Sequence, residues 1–234
     1  MKNKILLSLL LIVGLLSVTA CNKQEAEITD AEKFKNEYES FNGKQNDYFE
    51  YRNISISEKN PFVYISAEDV VQKIENKETF IVYFGDPECP WCRSVIEEAI
   101  SSASENSIKK IYYVRIWDGF HNEILRDVYE LKDGKPTIKS KGTDAYYKLL
   151  NYFDDVLEDY TLTDENNKTI KVNEKRIFAP SFIFIQNGKT EALVQGISNK
   201  QKSYNSELTE EIIEDEKNIF NSFYAKANLC FEQC

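Results

Sequence analysis

Two cysteines that are separated by two residues are the part of this 234-residue chain whose types and spacing could do chemistry. Cys89 and Cys92 enclose Pro90 and Trp91. A cysteine thiolate is the nucleophile that attacks disulfides, so Cys89 could form a mixed disulfide with a partner. Cys92 could then attack that mixed disulfide and release the partner. The spacing therefore predicts thiol–disulfide exchange, with Pro90 and Trp91 forming the surface that meets the substrate.

The residues around this pair predict a strand, a short loop and a helix. Residues 80–84 form an apolar run rich in β-branched and aromatic side chains, which is typical of a buried strand. A helix that begins at Cys89 would direct unpaired N–H groups and a favourable dipole at its sulfur, and both favour a thiolate. Pro90 would take the first helical position, where no N–H is needed. Apolar residues at helical spacing follow the pair, namely Val95, Ile96, Ala99, Ile100 and Ala103.

The C-P-W-C sequence between a strand and a helix resembles the active site of the thioredoxin superfamily, in the glutaredoxin-like and DsbA-like form. The resemblance implies an α/β chain with the thioredoxin fold, no organic cofactor, and another thiol protein that supplies or takes electrons. Two other uses of the cysteine pair stay open at this point. One is a merely structural disulfide, and the other is half of a zinc site, which would usually need a second C-x-x-C pair. We expect no metal.

A second segment, FAPSFIFIQNGK at residues 178–189, resembles the cis-proline segment of the same superfamily. An apolar strand follows Pro180 and ends at Asn187-Gly188, a strong hairpin-turn signal. The resemblance implies that the peptide bond before Pro180 is cis and that Pro180 packs against the cysteine pair. It also implies that the backbone of Ala179 pairs with substrate in the manner of a β-strand.

The chain departs from that superfamily beside the cysteines. Many thioredoxins carry a buried aspartate six residues before the first cysteine, where it assists proton transfer to the second one. Tyr83 occupies that position here. Asp86 and Glu88 are nearer in sequence, and we expect them to be exposed on the loop. Their negative charge would raise the pKa of Cys89.

The N-terminus predicts export. Residues 1–20 have a positive start, an apolar stretch and small residues before Cys21, as in a signal peptide. The Val-Thr-Ala-Cys ending resembles a bacterial lipobox, which implies a lipidated Cys21 and a protein anchored outside the cytoplasm to the bacterial cell membrane. An ordinary secretory signal is the alternative. Residues 21–60 are predicted to be a lipid-anchored tether that is partly helical, with a helix in 31–41, and that partly docks on the domain.

Residues 61–228 are predicted to be the thioredoxin-like domain. The expected order is strand 61–65, a helix capped by Ser66, the strand and helix around the cysteines, and strand 111–114. An inserted subdomain, about residues 117–176, should then separate the βαβ half from the cis-proline β-hairpin half. We predict that this insertion is mostly helical, with helices in 121–131 and 143–159 and a hairpin in 161–172. DsbA-like proteins carry a helical insertion at this point too.

Residues 206–228 are predicted to form the final helix, and a cysteine-containing tail, residues 229–234, follows it. Cys230 and Cys234 are a candidate second disulfide that clips the helix end. They could instead exchange with Cys89 and Cys92, bind a metal or pair between molecules. The only histidine, His121, is expected to be an ordinary surface residue.

The formal net charge of −10 argues against nucleic acid as a partner and against electrostatic attraction to anionic lipid.

Together these features predict a membrane-anchored extracytoplasmic thiol–disulfide oxidoreductase that acts on exported proteins, with an undetermined direction of electron flow. The chain also resembles the thioredoxin-like accessory proteins of bacteriocin export. The alternative is a non-catalytic binding lipoprotein in which Cys89 and Cys92 form a structural disulfide.

Overall fold

The computed structural model describes residues 28–118 and 122–231, except for the side chains of residues 229–231. Its centre is a five-stranded mixed sheet with apolar clusters and helices on both faces, which confirms the predicted α/β class. The helices are α1 (Asp30–Glu39), α2 (Ala67–Glu75), α3 (Pro90–Glu105), α4 (Asp144–Tyr152) and α5 (Glu210–Phe231). The strands are β1 (Phe62–Tyr64), β2 (Phe80–Gly85), β3 (Ile111–Arg115), β4 (Val128–Lys132), β5 (Lys135–Ser140), β6 (Glu158–Thr163), β7 (Thr169–Arg176), β8 (Ser181–Gln186) and β9 (Lys189–Val194).

The central sheet has the strand order β1-β3-β2-β8-β9. Strands β1, β3 and β2 are parallel, as the strand–helix–strand pattern predicts, whereas β8 is antiparallel to β2 and β9 is antiparallel to β8. Strand β2 is the middle strand, and all six of its residues are buried. The loop that carries Cys89 therefore follows directly after the most buried strand of the sheet.

Alternate residues of β2 enter two different apolar clusters. Ile81 and Tyr83 pack with residues of α1, α3 and α5, whereas Val82 and Phe84 pack with residues of α2 and α4. This alternation follows from the two-residue period of a strand. Because both faces are covered, the strand reads as a continuous apolar run in the sequence.

The described part of the predicted tether, residues 28–60, is a layer of the folded unit. The predicted helix is present as α1, but the segment packs on the domain along much more of its length than partial docking implies. Phe34 and Tyr38 on α1 are completely buried, and the Phe34 ring stacks on that of Phe62 with the centroids 4.1 Å apart. Thr29 and Glu32 cap the helix reciprocally. The many charged residues of this stretch lie on the outer side of the chain and conceal its apolar face in the sequence.

The insertion between β3 and β8 is not mostly helical, which corrects that prediction. It consists of a hairpin β4–β5, the helix α4 and a second hairpin β6–β7. The predicted helix at 121–131 is wrong because strand β4 begins at Val128, while residue 121 itself lies outside the described residues. Asp133 and Gly134 both have positive φ, 50° and 72°, and form the two-residue turn of the first hairpin. That Asp-Gly pair was the missed signal. The second hairpin, predicted at 161–172, is confirmed with longer strands.

The last helix lies against α3, but it begins at Glu210 rather than at residue 206. The apolar spacing in the sequence predicts a buried stripe of Leu208, Ile212, Ile219, Phe223 and Ala227. Ile212, Phe223 and Ala227 are buried, whereas Ile219 is only half-buried and Leu208 precedes the helix. In the part of the chain that the structure describes, no helix has both the length and the apolarity that crossing a bilayer requires.

Candidate active site

Cys89 is the N-cap residue of α3, and Pro90 is the first residue of that helix. The Cys89 sulfur accepts a hydrogen bond from the backbone N–H of Cys92, with 3.3 Å between sulfur and nitrogen. Both thiols are free and buried, Cys92 completely and Cys89 with 5% of its surface exposed. The predicted placement of Cys89 at a helix N-terminus is therefore confirmed, and the N–H donor and the dipole both favour a thiolate there.

The proline segment lies directly against Cys89. The thiol is 3.5 Å from the carbonyl oxygen of Ala179, and the Ala179–Pro180 peptide bond is cis, as expected. Pro180 is buried and Ala179 is half-buried. This contact joins two parts of the chain that are 90 residues apart, because β8 pairs with β2 immediately after the proline. The cis-proline segment therefore lies directly beside the Cys89 sulfur.

The two thiols have opposite pKa shifts. Burial by itself raises the pKa of Cys89, but the hydrogen bonds from Cys92 and the positive charge of Arg126 outweigh burial and lower that pKa. Burial, together with the hydrogen bond and charge of Cys89, raises the pKa of Cys92 well above its usual value. Arg126 belongs to the insertion, and its guanidinium donates to the carbonyl of Ile177 at 3.0 Å. One thiol of the pair is thus prepared to attack while the other stays protonated.

Asp86 and Glu88 are buried, so the expectation that they are exposed is wrong. The carboxylate of Asp86 accepts from Nε of Arg115 at 2.9 Å and from the backbone N–H of Glu88 at 3.0 Å. Burial, only partly offset by Arg115, raises the pKa of Asp86 to about 6. The sequence did not show this partner, because Arg115 reaches the loop only once β3 lies beside β2. Asp86 raises the pKa of Cys89, in the predicted direction.

Arg93 is a site residue that the sequence analysis missed. Its guanidinium is almost completely buried and donates to the carbonyl oxygens of Arg52, Tyr38 and Pro87 and to the side chain of Asn42. These bonds tie residues 38–52 to the first turn of α3. Arginine side chains are mostly exposed in proteins, so an arginine directly after C-x-x-C is not expected to be buried. For this reason the sequence pattern did not point to Arg93.

Two open clefts, each of about 400 Å³, flank Pro90. Trp91 is half-buried at this surface, and its ring meets that of Tyr204 edge to face with the centroids 6.1 Å apart. Most of the remaining lining comes from the N-terminal segment, where the Tyr48 side chain is 87% exposed. The high proportion of aromatic residues in that segment was the sequence feature that could have predicted these clefts. The cleft-lining residues include Tyr48, Phe49, Arg52, Trp117 and Tyr204.

Several predicted residues fall outside this description. Cys21, His121 and Cys234 lie outside the described residues, and only the backbone of Cys230 is described. Among the residues that the structure does describe, no group of three or more His, Cys, Asp and Glu could hold a metal ion. A comparison with known protein families and with curated proteins found no match to this chain.

Proposed function

We propose that this chain is a thiol–disulfide oxidoreductase with a thioredoxin fold that acts on exported proteins outside the cytoplasm. The observation that carries the proposal is the position of Cys89, whose sulfur lies between the N-terminus of α3 and the Ala179 carbonyl before a cis-proline. The fold assignment is supported by the strand order β1-β3-β2-β8-β9 with parallel and antiparallel halves. It is also supported by the attachment of the cysteine helix to the middle strand.

The reaction follows from the difference between the two thiols. The Cys89 thiolate attacks a disulfide of the substrate, forms a Cys89–substrate mixed disulfide and releases the other substrate sulfur as a thiolate, which takes up a proton. The Cys92 thiol then loses its proton and attacks the Cys89 sulfur. The mixed disulfide breaks, the Cys89–Cys92 disulfide forms and the second substrate sulfur leaves as a thiol. Run in reverse, the same steps insert a disulfide.

The clefts beside Pro90 and the half-buried ring of Trp91 offer contacts for substrate side chains, and the Ala179 backbone offers hydrogen bonds to an extended substrate chain. The membrane anchor is part of the proposal and rests on residues 1–21 of the sequence. The redox partner is another thiol protein. The alternative, a binding lipoprotein stapled by Cys89 and Cys92, predicts a disulfide that resists reduction.

The reduction potential of residues 22–234, with Cys230 and Cys234 both changed to Ser, tests the proposal. A catalytic pair is expected between about −120 mV, typical of strong oxidants, and about −270 mV, typical of reductants. The value also gives the direction of electron flow. A potential below about −300 mV would favour the structural staple.

Trapping is the second test. Cys92→Ser should accumulate mixed disulfides through Cys89, whereas Cys89→Ser, the matched control, should trap none. The enzyme proposal fails if Cys92→Ser traps no partner and the reduced Cys89 is unreactive at neutral pH.

A further inference from the structure

Two tyrosine hydroxyls lie beneath Cys92 at the position where the sequence lacks an acid. Tyr83 on β2 and Tyr38 on α1 are completely buried, and their hydroxyl oxygens are 2.8 Å apart. Tyr83 and Cys92 belong to the same buried cluster, and the interaction with the Tyr83 hydroxyl lowers the pKa of Cys92. The hydroxyl pair therefore lies between α1 and the second cysteine.

Gly85 makes room for this arrangement. Tyr83 and Gly85 lie on the same face of β2, and a Cβ at position 85 would be only 2.1 Å from the Tyr83 hydroxyl oxygen. The Tyr83 side chain therefore extends along the strand over Gly85 towards the cysteine loop. The backbone N–H of the next residue, Asp86, also lowers the pKa of Cys92. Two groups from the same strand end thus favour the ionised form of the buried sulfur.

The direction of the hydrogen bonds depends on the state of Cys92. Each phenol has one hydrogen to donate, and a thiolate can only accept. When Cys92 is a thiolate, Tyr83 donates to the sulfur, and Tyr38 must then donate to Tyr83. In such a chain each bond polarises the next one and strengthens it.

We propose that Tyr83 is a catalytic residue of the resolving step, in which its hydroxyl donates to the Cys92 sulfur and stabilises the attacking thiolate, and that Tyr38 is the positioning residue that orients this hydroxyl. The inference rests on the proposed function and assigns to Tyr83 the task that a buried carboxylate would otherwise have. The tyrosines neither gain nor lose a proton overall. The Cys92 proton ends on the leaving sulfur of the partner, as the Cys89–Cys92 bond forms and the mixed disulfide breaks.

The surroundings oppose ionisation of Cys92. Burial raises its pKa, whereas the Tyr83 hydroxyl acts in the opposite direction and lowers it. The titratable groups that face the hydroxyl pair are Cys92 on α3, Tyr113 on β3 and Asp86 after β2. Asp86 is already engaged by Arg115. Tyr113 stacks on Tyr83, but its own hydroxyl donates to the Gly85 carbonyl at 3.4 Å.

Dithiobis(nitrobenzoate), an aromatic disulfide, separates the two steps of the reaction. Cys89 releases one coloured thionitrobenzoate when it attacks the reagent, and Cys92 releases a second one when it resolves the mixed disulfide. The experiment uses the full chain in detergent with Cys21, Cys230 and Cys234 changed to Ser, reduced and mixed in stopped flow over a range of pH.

Tyr83→Phe should slow the second release about tenfold and move its pH profile to higher pH, because one hydrogen bond to a charged sulfur is lost. The first release should stay within about twofold. Tyr38→Phe should slow the second release less, about threefold, since Tyr83 keeps its hydroxyl. Tyr113→Phe is the matched control, because it removes a hydroxyl from the same aromatic stack without touching Cys92, and it should leave both releases unchanged.

Near-ultraviolet circular dichroism checks that each variant keeps its aromatic packing. The inference is overturned if the folded Tyr83→Phe variant resolves the mixed disulfide at the wild-type rate with the wild-type pH profile. It is also overturned if Tyr113→Phe slows the second release as much as Tyr83→Phe does. If the parent protein shows no first release at all, the proposed function fails instead.

Discussion

At the scale of single residues, Glu216 is a buried carboxylic acid on α5 that the proposed chemistry does not use. The residue is completely buried, and neither carboxylate oxygen has a hydrogen-bond partner among the described residues. Burial and the nearby charge of Glu98 raise its pKa to about 8, whereas Arg52 acts in the opposite direction. At neutral pH this side chain is therefore mostly protonated in the folded protein.

The raised pKa of Glu216 predicts how the free energy of unfolding depends on pH. In the unfolded chain the pKa of Glu216 returns to its ordinary value, so between about pH 4.5 and 8 the folded state binds more protons than the unfolded state. The free energy of unfolding should fall as pH rises through that range, by at most about 1.4 kcal/mol per pH unit from this residue. Glu216→Gln keeps the shape but cannot ionise, so it should flatten the decline.

Urea unfolding at several pH values between about 5 and 8 measures this effect. Glu211→Gln, a change of an exposed glutamate on the same helix, is the control and should leave the slope unchanged. Equal slopes in the wild type and Glu216→Gln would contradict the assignment.

At the scale of elements, the guanidinium of Arg93 links the N-terminal segment to α3. The guanidinium of Arg93 makes five hydrogen bonds, four of them to backbone carbonyl oxygens and one to the Asn42 side chain. Residues 38–53, which the cation holds, include Tyr38 and several of the residues that line the clefts. The position of this segment therefore couples the clefts and the tyrosine pair to α3.

Arg93→Met should loosen that segment. The substitution removes the donors of the Arg52 and Pro87 carbonyl oxygens and one of the donors of the Tyr38 carbonyl oxygen, so we expect a loss of about 3 kcal/mol of unfolding free energy. Hydrogen exchange should increase most in residues 38–53, and urea unfolding gives the overall loss. Lys217→Met is the matched control, because its ion pair with Glu105 on α3 is exposed and screened by solvent, so its loss should change stability far less. Unchanged exchange in residues 38–53 would contradict this role.

At the scale of the whole molecule, the direction of α5 carries its backbone at position 230 away from the active site. Ser102 contacts Lys217 and Asn106 contacts Asn221, so α5 runs alongside α3 in the same direction. At 1.5 Å per residue, Cys89 lies about 25 Å before the Asn106–Asn221 contact, and backbone position 230 lies about 13 Å beyond it. Exchange between the tail cysteines and Cys89 of the same molecule is therefore not favoured by this arrangement.

Replacing the tail cysteines should leave the active site unaffected. The Cys230→Ser, Cys234→Ser double variant is expected to keep the reduction potential of the Cys89–Cys92 pair and both release rates with dithiobis(nitrobenzoate). Equilibration with glutathione buffers and stopped flow measure these quantities. A change of more than about threefold in the second release would show that the tail takes part in the reaction, because it exceeds about 0.6 kcal/mol.

Local patterns were enough to predict part of the molecule. The apolar run before Cys89, the spacing of the cysteines and Pro90 at the first helical position all act within a few residues, and they predicted β2 and α3 closely. The Asn187-Gly188 turn predicted the β8–β9 hairpin for the same reason. The first part of the insertion was predicted wrongly because weak helical periodicity was preferred to the Asp133-Gly134 turn signal, which is the stronger one.

The sequence by itself determined the strand–cysteine–helix unit and the turn after β8, because hydrophobic periodicity, capping and turn chemistry are local. Only the tertiary structure decided what surrounds the two sulfurs. Arg115 and Arg126 reach the site from β3 and the insertion, and Tyr38 reaches it from a segment that looked like a tether. Such contacts depend on which strands become neighbours and which side chains are buried together, and residue types along the chain do not specify that.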